Sequence, residues 1–217
     1  MSVDEIQKIE DKLVPKGKID LVGCGRLGLR IAINLMQTHR GGPKVISAFD
    51  GQEISGGDVI FTLLGAEIGE AKTDFIKRIC THDEDFRKVE SHTEYITEEN
   101  IELIDGDVVI IVIAGGNTIS TAAEIIKHAH KRGVKTIGTA GIFGFGNEDI
   151  EIKDISEYDN NNPAIEELRA QGITENHLIL TTHKLIRDNE PITPYVLDDV
   201  AKVITMNALK LLRDIYD

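Results

Sequence analysis

The sequence predicts an α/β protein whose mainly parallel sheet is flanked by helices, and three observations predict it. Ile19, Leu21 and Val22 read as a short buried strand that runs into the glycine turn Gly23-Cys-Gly-Arg-Leu-Gly28 and then into a helix reaching about Gln37. Asp107-Val-Val-Ile-Ile-Val-Ile113 is continuously apolar and β-branched, the pattern of a central parallel strand buried on both faces. Strand and helix patterns alternate along the rest of the chain, and the crossovers that join parallel strands require that alternation.

The elements follow in order. Val3, Ile6, Ile9 and Leu13 recur at a helical spacing before Pro15, so residues 1–17 form an N-terminal helix, expected to pack on the sheet. Val45-Ile-Ser-Ala-Phe-Asp50 is the second strand. Gly51 to Asp58 is polar and glycine-rich and leads into Val59-Ile-Phe-Thr-Leu-Leu64. A helix is expected from Ile68, with Ala71, Phe75 and Ile79 on one face. Thr93 to Ile96 reads as extended, and Thr97 to Ile104 as a short helix capped by Thr97. Ser120 to Arg132 is helical and Val134 to Gly138 a strand. Residues 151–195 form an irregular segment on the substrate side, with a surface loop over Asp154 to Asn162, a short helix at Ala164 to Ala170 and a strand at Leu178 to Thr182. Residues 196–217 form a closing helix with Val200, Val203, Ile204, Ala208 and Leu211 inward.

Bulk properties narrow the function. The chain has 217 residues, enough for a single domain with a full core. Its formal net charge of −13 argues against nucleic-acid or anionic-membrane partners. Any triphosphate must therefore be held by a local positive site. Cys24 and Cys80, far apart and without C-x-x-C spacing, exclude a disulfide framework and a four-cysteine structural zinc. The acidic, amphipathic start reads as no signal peptide, and no apolar run approaches a membrane span, so a cytoplasmic location is expected.

The glycine turn points to nucleotide binding. Gly23 permits the tight turn, Gly25 lets a phosphate approach the backbone, and Gly28 lets helix and strand pack closely. The helix start then faces an anion. Asp50 follows about twenty residues later, where a ribose hydroxyl sits. Arg26, inside the turn, presents a guanidinium suited to phosphate or substrate; Leu27 and Gly51 are placed with them as nucleotide neighbours. Gly115, Gly116 and Asn117 follow the central strand at its carboxyl end, where open α/β sheets place ligands. Thr139, Gly141 and Phe143 follow the next strand and are expected to face the same crevice from the substrate side. His128 and His130 do not share a helix face, and His82, His92, His177 and His183 show no ligand spacing, so no histidine metal site is expected. Cys24 reads as a packing residue and Cys80 as core.

The order of these pieces resembles the E1-like (ThiF/MoeB-type) superfamily, which has a Rossmann-like fold and adenylates carboxylates with ATP. Gly23 to Gly28 resembles the family's ATP-binding turn, and Phe49-Asp50 lies where the family has an Asp-x-Asp pair. Ser55 through Lys72 aligns without a gap to the family's stretch from the serine of S-N-L-N-R-Q to the lysine of I-G-x-x-K, with Ile68, Gly69 and Lys72 matching. Thr97 to Ile110, Asn117 and the turn from Gly138 to Gly144 match the strands that follow. The departures are as informative. The family's asparagine and arginine finger fall at Asp58 and Val59, its first ribose acid at Ala48, and its magnesium-binding Asp at Gly116. The zinc cysteine pairs and the thioester cysteine are missing. One branch with this profile is the short E1-like branch of iron-guanylylpyridinol cofactor biosynthesis in methanogens.

The resemblance implies attack of a small-molecule carboxylate, guanylylpyridinol in that branch, on the α-phosphate of ATP with Mg²⁺. Lys72 and Arg26 would be the cations at the phosphates, and Arg30 the replacement for the missing arginine finger. Glu53 and Asp58 are the carboxylates offered for magnesium. It also implies a homodimer and a downstream thiol-bearing acceptor protein. The alternatives are an NAD-dependent oxidoreductase, which the glycine turn and Asp50 suit equally, and a non-catalytic nucleotide-binding scaffold.

Overall fold

A computed structural model describes residues 1–11, 14–80 and 85–216; Leu13 and His82 lie outside them. The elements are α1 (Val3–Asp11), β1 (Lys18–Val22), α2 (Arg26–Met36), β2 (Val45–Phe49), α3 (Val59–Leu63), α4 (Lys72–Cys80), β3 (Lys88–His92), β4 (Val108–Ile111), α5 (Ile119–Lys131), β5 (Thr136–Thr139), β6 (Glu151–Asp154), α6 (Pro163–Ala170), β7 (His177–Thr181) and α7 (Pro194–Tyr216). The strands form a seven-stranded sheet in the order β3-β2-β1-β4-β5-β7-β6. All pairings are parallel except that of β6 with β7.

The middle of the sheet is buried on both faces, and β4 there is apolar at every position. Val108 and Ile110 face one way, into a core with Leu29 and Leu35 of α2, Phe75 of α4 and Val200, Ile204 and Ala208 of α7. Val109 and Ile111 face the other way, against Ala123, Ile126 and Ala129 of α5 and Ile165 and Leu168 of α6. The chain winds outward from β1 to β3, returns to β4 on the other side of β1, and winds away toward β7. The carboxyl ends of β1 and β4 therefore border a crevice, the place where sheets of this kind bind ligands.

The structure differs from the sequence reading in several places. α1 forms as expected, but its apolar residues do not pack on the sheet: Val3, Ile6 and Ile9 are all exposed. The helix expected from Ile68 begins at Lys72, because Gly69 turns the chain at φ 90° and Ala71 bridges Glu53. The extended piece sits at Lys88–His92 rather than Thr93 to Ile96. It is an edge strand in which only Val89 is buried, so it lacks an apolar alternation. Thr97 to Ile104 holds only a 3₁₀ turn at Ile101–Leu103, since Asn100 receives the Thr97 N–H and ties the loop to Tyr95. Within 151–195 the expected helix and strand form as α6 and β7, and the structure adds β6, whose half-buried and mostly polar residues carry no apolar period.

Candidate functional site

Gly23 adopts φ 98°, and a Cβ there would stand 2.8 Å from the Val112 and Ile113 backbone. A Cβ on Gly28 would collide with the Gly23 carbonyl. Both positions need glycine for the fold. Gly25 is different: its φ is −70°, and a Cβ would meet nothing within 4 Å. It opens α2 without a side-chain cap, so the first helical N–H groups face open space.

Asp50 ends β2 beside this turn. Its Oδ2 accepts the Cys24 N–H at 2.7 Å and its Oδ1 the Gln52 N–H at 2.8 Å, which fixes the carboxylate at the strand end. The Tyr95 ring lies against the Gly51 backbone next to it. Gln52 also anchors Lys72, which is 6% exposed; its Nζ donates to Gln52 Oε1 at 2.9 Å and stands 3.4 Å from Asp58 Oδ1. Burial would raise Asp58, but the Ser55 hydrogen bonds and the Lys72 ammonium outweigh it and hold the carboxyl below its usual value.

On the other side of the turn lies a cleft of about 800 Å³. Gly25, Arg26 and Leu27 form its lip, Gly115 and Thr118 border it after β4, and Thr139, Gly141 and Phe143 form its wall after β5. Gly141, at φ 79°, accepts the Thr182 N–H at 3.0 Å, and Thr182 Oγ1 donates to the Phe143 carbonyl at 2.7 Å, so β7 holds this wall. Gly115 adopts φ 111°, and Asn117, which is exposed, folds its Oδ1 toward it.

Arg30 takes another direction. Its Nε pairs with Asp198 of α7 and its Nη1 donates to the Arg26 carbonyl, and it lines a groove between α2 and α7 instead of the cleft. The side chain expected to replace the arginine finger is held by that contact in this structure. A cation the sequence reading missed, Arg187, lines the cleft from a 3₁₀ turn at Ile186–Asp188, inside the segment taken as irregular. Its signal is a basic residue in the link between β7 and α7. His177 also lines the cleft, although it carries no ligand spacing.

Both thiols are buried. Burial pushes Cys24 far up, with the Asp50 carboxylate adding to it, and pushes Cys80 up to about 11. The described residues include no cluster of three or more histidine, cysteine or carboxylate side chains able to hold a metal. They do not build an all-protein cage for magnesium. No helix among the described residues is long and apolar enough to cross a membrane.

A solved structure of HcgE from Methanothermobacter marburgensis, in its guanylylpyridinol- and ATP-bound form, is 51% identical to this chain. The match covers 94% of this chain and 98% of that one, with a TM-score of 0.89. The chain belongs to the HcgE family. An uncharacterized protein of Methanocaldococcus jannaschii is 42% identical over 97% of this chain and 83% of its own length. The AMP complex of E. coli TcdA, a tRNA N6-threonylcarbamoyladenosine dehydratase, has a TM-score of 0.74 at 17% identity, covering 99% of this chain and 91% of that one, and so shares the fold. No family model matches the chain.

Proposed function

We propose that this HcgE-family chain is an ATP-dependent adenylyltransferase that activates the carboxyl group of guanylylpyridinol. The observation that carries the reading is the continuity of two half-sites at the crevice. The uncapped start of α2 over Gly25, with Asp50 beside it, suits a nucleotide, and it opens directly into a chamber walled by Thr139, Gly141 and Phe143 that suits the acyl substrate. The likeness to HcgE, solved with both ligands, supports the same pairing.

In this reading a carboxylate oxygen attacks the α-phosphorus, the bond to the bridging oxygen breaks, and pyrophosphate leaves with the electron pair. No proton moves, so the protein's part is alignment and charge neutralisation. Asp50 accepts from a ribose hydroxyl. The α2 N–H groups, Arg26 and Lys72 face the phosphates, with Arg187 as the cation that compensates for Arg30. Gly115, Gly116 and Asn117 border the nucleotide, and small residues there allow backbone approach. Mg²⁺ would enter with the triphosphate. The adenylate then passes to a thiol on an acceptor protein, a reading that the burial of Cys24 and Cys80 supports. The exposed stripe of Val3, Ile6 and Ile9 supports a homodimer.

The test is guanylylpyridinol-dependent exchange of labelled pyrophosphate into ATP, with melting temperatures measured against ATP, AMP and NAD. Exchange together with stabilisation by ATP is the expected result. Stabilisation by NAD and not ATP would overturn the reading in favour of an oxidoreductase, and ATP binding without exchange would leave a scaffold.

A further inference from the structure

His177 opens β7, is 2% exposed, and lines the cleft beside Gly138. A Cβ on Gly138 would stand 2.9 Å from both Cε1 and Nε2 of the ring, so the glycine leaves the imidazole edge uncovered.

The tautomer follows from the hydrogen bonds behind it. The Asn176 carbonyl can only accept, so His130 Nε2, 3.1 Å away, carries a proton. The same N–H faces Thr136 Oγ1 at 3.3 Å, and among the described residues the acceptor within reach of that hydroxyl's own proton is His177 Nδ1 at 2.7 Å. His177 Nδ1 is then an acceptor, and the neutral ring bears its proton on Nε2. Burial first, then the neighbouring His130, push its pKa down to about 3, against a weaker opposing pull from Asp154, so the ring is neutral at physiological pH.

No described residue accepts from that Nε2–H. The cleft is lined by Ile111, Ile126 and Leu168 of β4, α5 and α6, with Thr139, Asn162 and Glu167 among its polar members. An N–H that faces the cleft without a protein acceptor is open to one from a ligand, and a ligand that displaces water there without supplying one binds less well. The nucleotide half of the crevice is fixed by Asp50 on β2 and the glycine turn after β1. His177 and Gly138 lie on the far side of β4, so the group that reaches them belongs to the acyl substrate.

We propose that His177 is a specificity-determining residue that donates from Nε2 to an oxygen borne by an aromatic ring of the acyl substrate, lodged between Gly138 and the α5/α6 wall. The ligand class is an oxygen-bearing aromatic or heteroaromatic carboxylic acid. The proposal rests on the adenylylation reading and adds which atom of the protein recognises the ring. A substrate whose ring lacks that oxygen leaves the donor unpaired and is rejected.

The experiment measures kcat and KM for guanylylpyridinol in pyrophosphate exchange, and ATP affinity by titration, for the wild type, His177→Phe and His177→Gln. His177→Phe keeps a ring and removes the donor, and about a tenfold rise in KM is expected, with kcat and ATP affinity near wild type. His177→Gln returns an N–H near the Nε2 position and is expected to recover most of the loss. Imidazole ¹⁵N spectra of the wild type need no variant: they should show the Nε2–H tautomer without ligand and a shifted Nε2–H resonance with guanylylpyridinol. An unchanged KM in a folded His177→Phe that still binds ATP, or an Nδ1–H tautomer, overturns the proposal. Absence of exchange in the wild type overturns the adenylylation reading instead, and the ligand-free spectrum then still decides the tautomer.

Discussion

Gly25→Ala separates folding from ligand binding in the glycine turn. At φ −70° alanine is unstrained, and its methyl would meet no atom within 4 Å. Fewer unfolded conformations favour the variant by about 0.4–1 kcal/mol, and a poorer helix cap disfavours it by a similar amount. The net change stays within about 1 kcal/mol, or about 2–4 °C in Tm at this size. Gly23→Ala and Gly28→Ala are the contrasting controls. The first forces a side chain to φ 98° against the Val112 and Ile113 backbone, the second drives a methyl into the Gly23 carbonyl, and each is expected to cost about 3 kcal/mol. ATP at a hundred times its Kd stabilises a folded binder by about 2.7 kcal/mol, or about 5–11 °C here. The Gly25 methyl occupies the space the phosphates need, so this shift should largely vanish in a variant that is otherwise stable. The assay is a thermal melt with and without ATP. A full ATP shift in Gly25→Ala would refute phosphate contact at this backbone, and a large loss of ligand-free stability would refute the open space itself.

Other outcomes follow from the same geometry. Lys72→Ala should lower pyrophosphate exchange about 100-fold, the scale for removing a group that stabilises transition-state charge, measured at saturating guanylylpyridinol. Arg30→Gln should leave the exchange rate within about twofold and stability within about 1 kcal/mol, because its partner Asp198 is 62% exposed on the side chain. Asp20 is buried, accepts the Gly106 N–H at 2.7 Å and leaves Oδ1 without a partner; burial pushes its carboxyl up to about 7. The folded state keeps this proton where the unfolded chain has lost it. Its contribution is therefore full below the ordinary aspartate value of 3.8, falls as pH rises, and is gone above about 7. Three pH units at 1.36 kcal/mol each amount to about 4 kcal/mol. Asp20→Asn should therefore gain stability relative to the wild type between pH 4 and 7, with no further gain to pH 8, in denaturant titrations.

The sequence by itself determined the architecture around the crevice. Strand, glycine turn, helix and Asp50 are linked by short local rules, since Gly28 answers to the Gly23 carbonyl and Asp50 to the Cys24 N–H within one βαβ unit. The central strand was legible because burial on both faces demands an unbroken apolar run, and Val108 to Ile111 carries one. Tertiary structure decided the rest, wherever a residue's partner comes from a distant element. The pattern of α1 specified a helix but not a surface to cover it. The polar residues of Lys88–His92 and Glu151–Asp154 became strands because a neighbouring edge offered hydrogen bonds, which no apolar period reports. Arg30 looked available at the start of α2 until α7 brought Asp198 to it, while Arg187 and His177 reached the cleft only through the packing of β7. Side-chain chemistry depends on what stands opposite, and for these residues that was set by contacts more than a hundred positions away in the chain for Arg30 and by a hydrogen-bonded neighbour on β5 for His177.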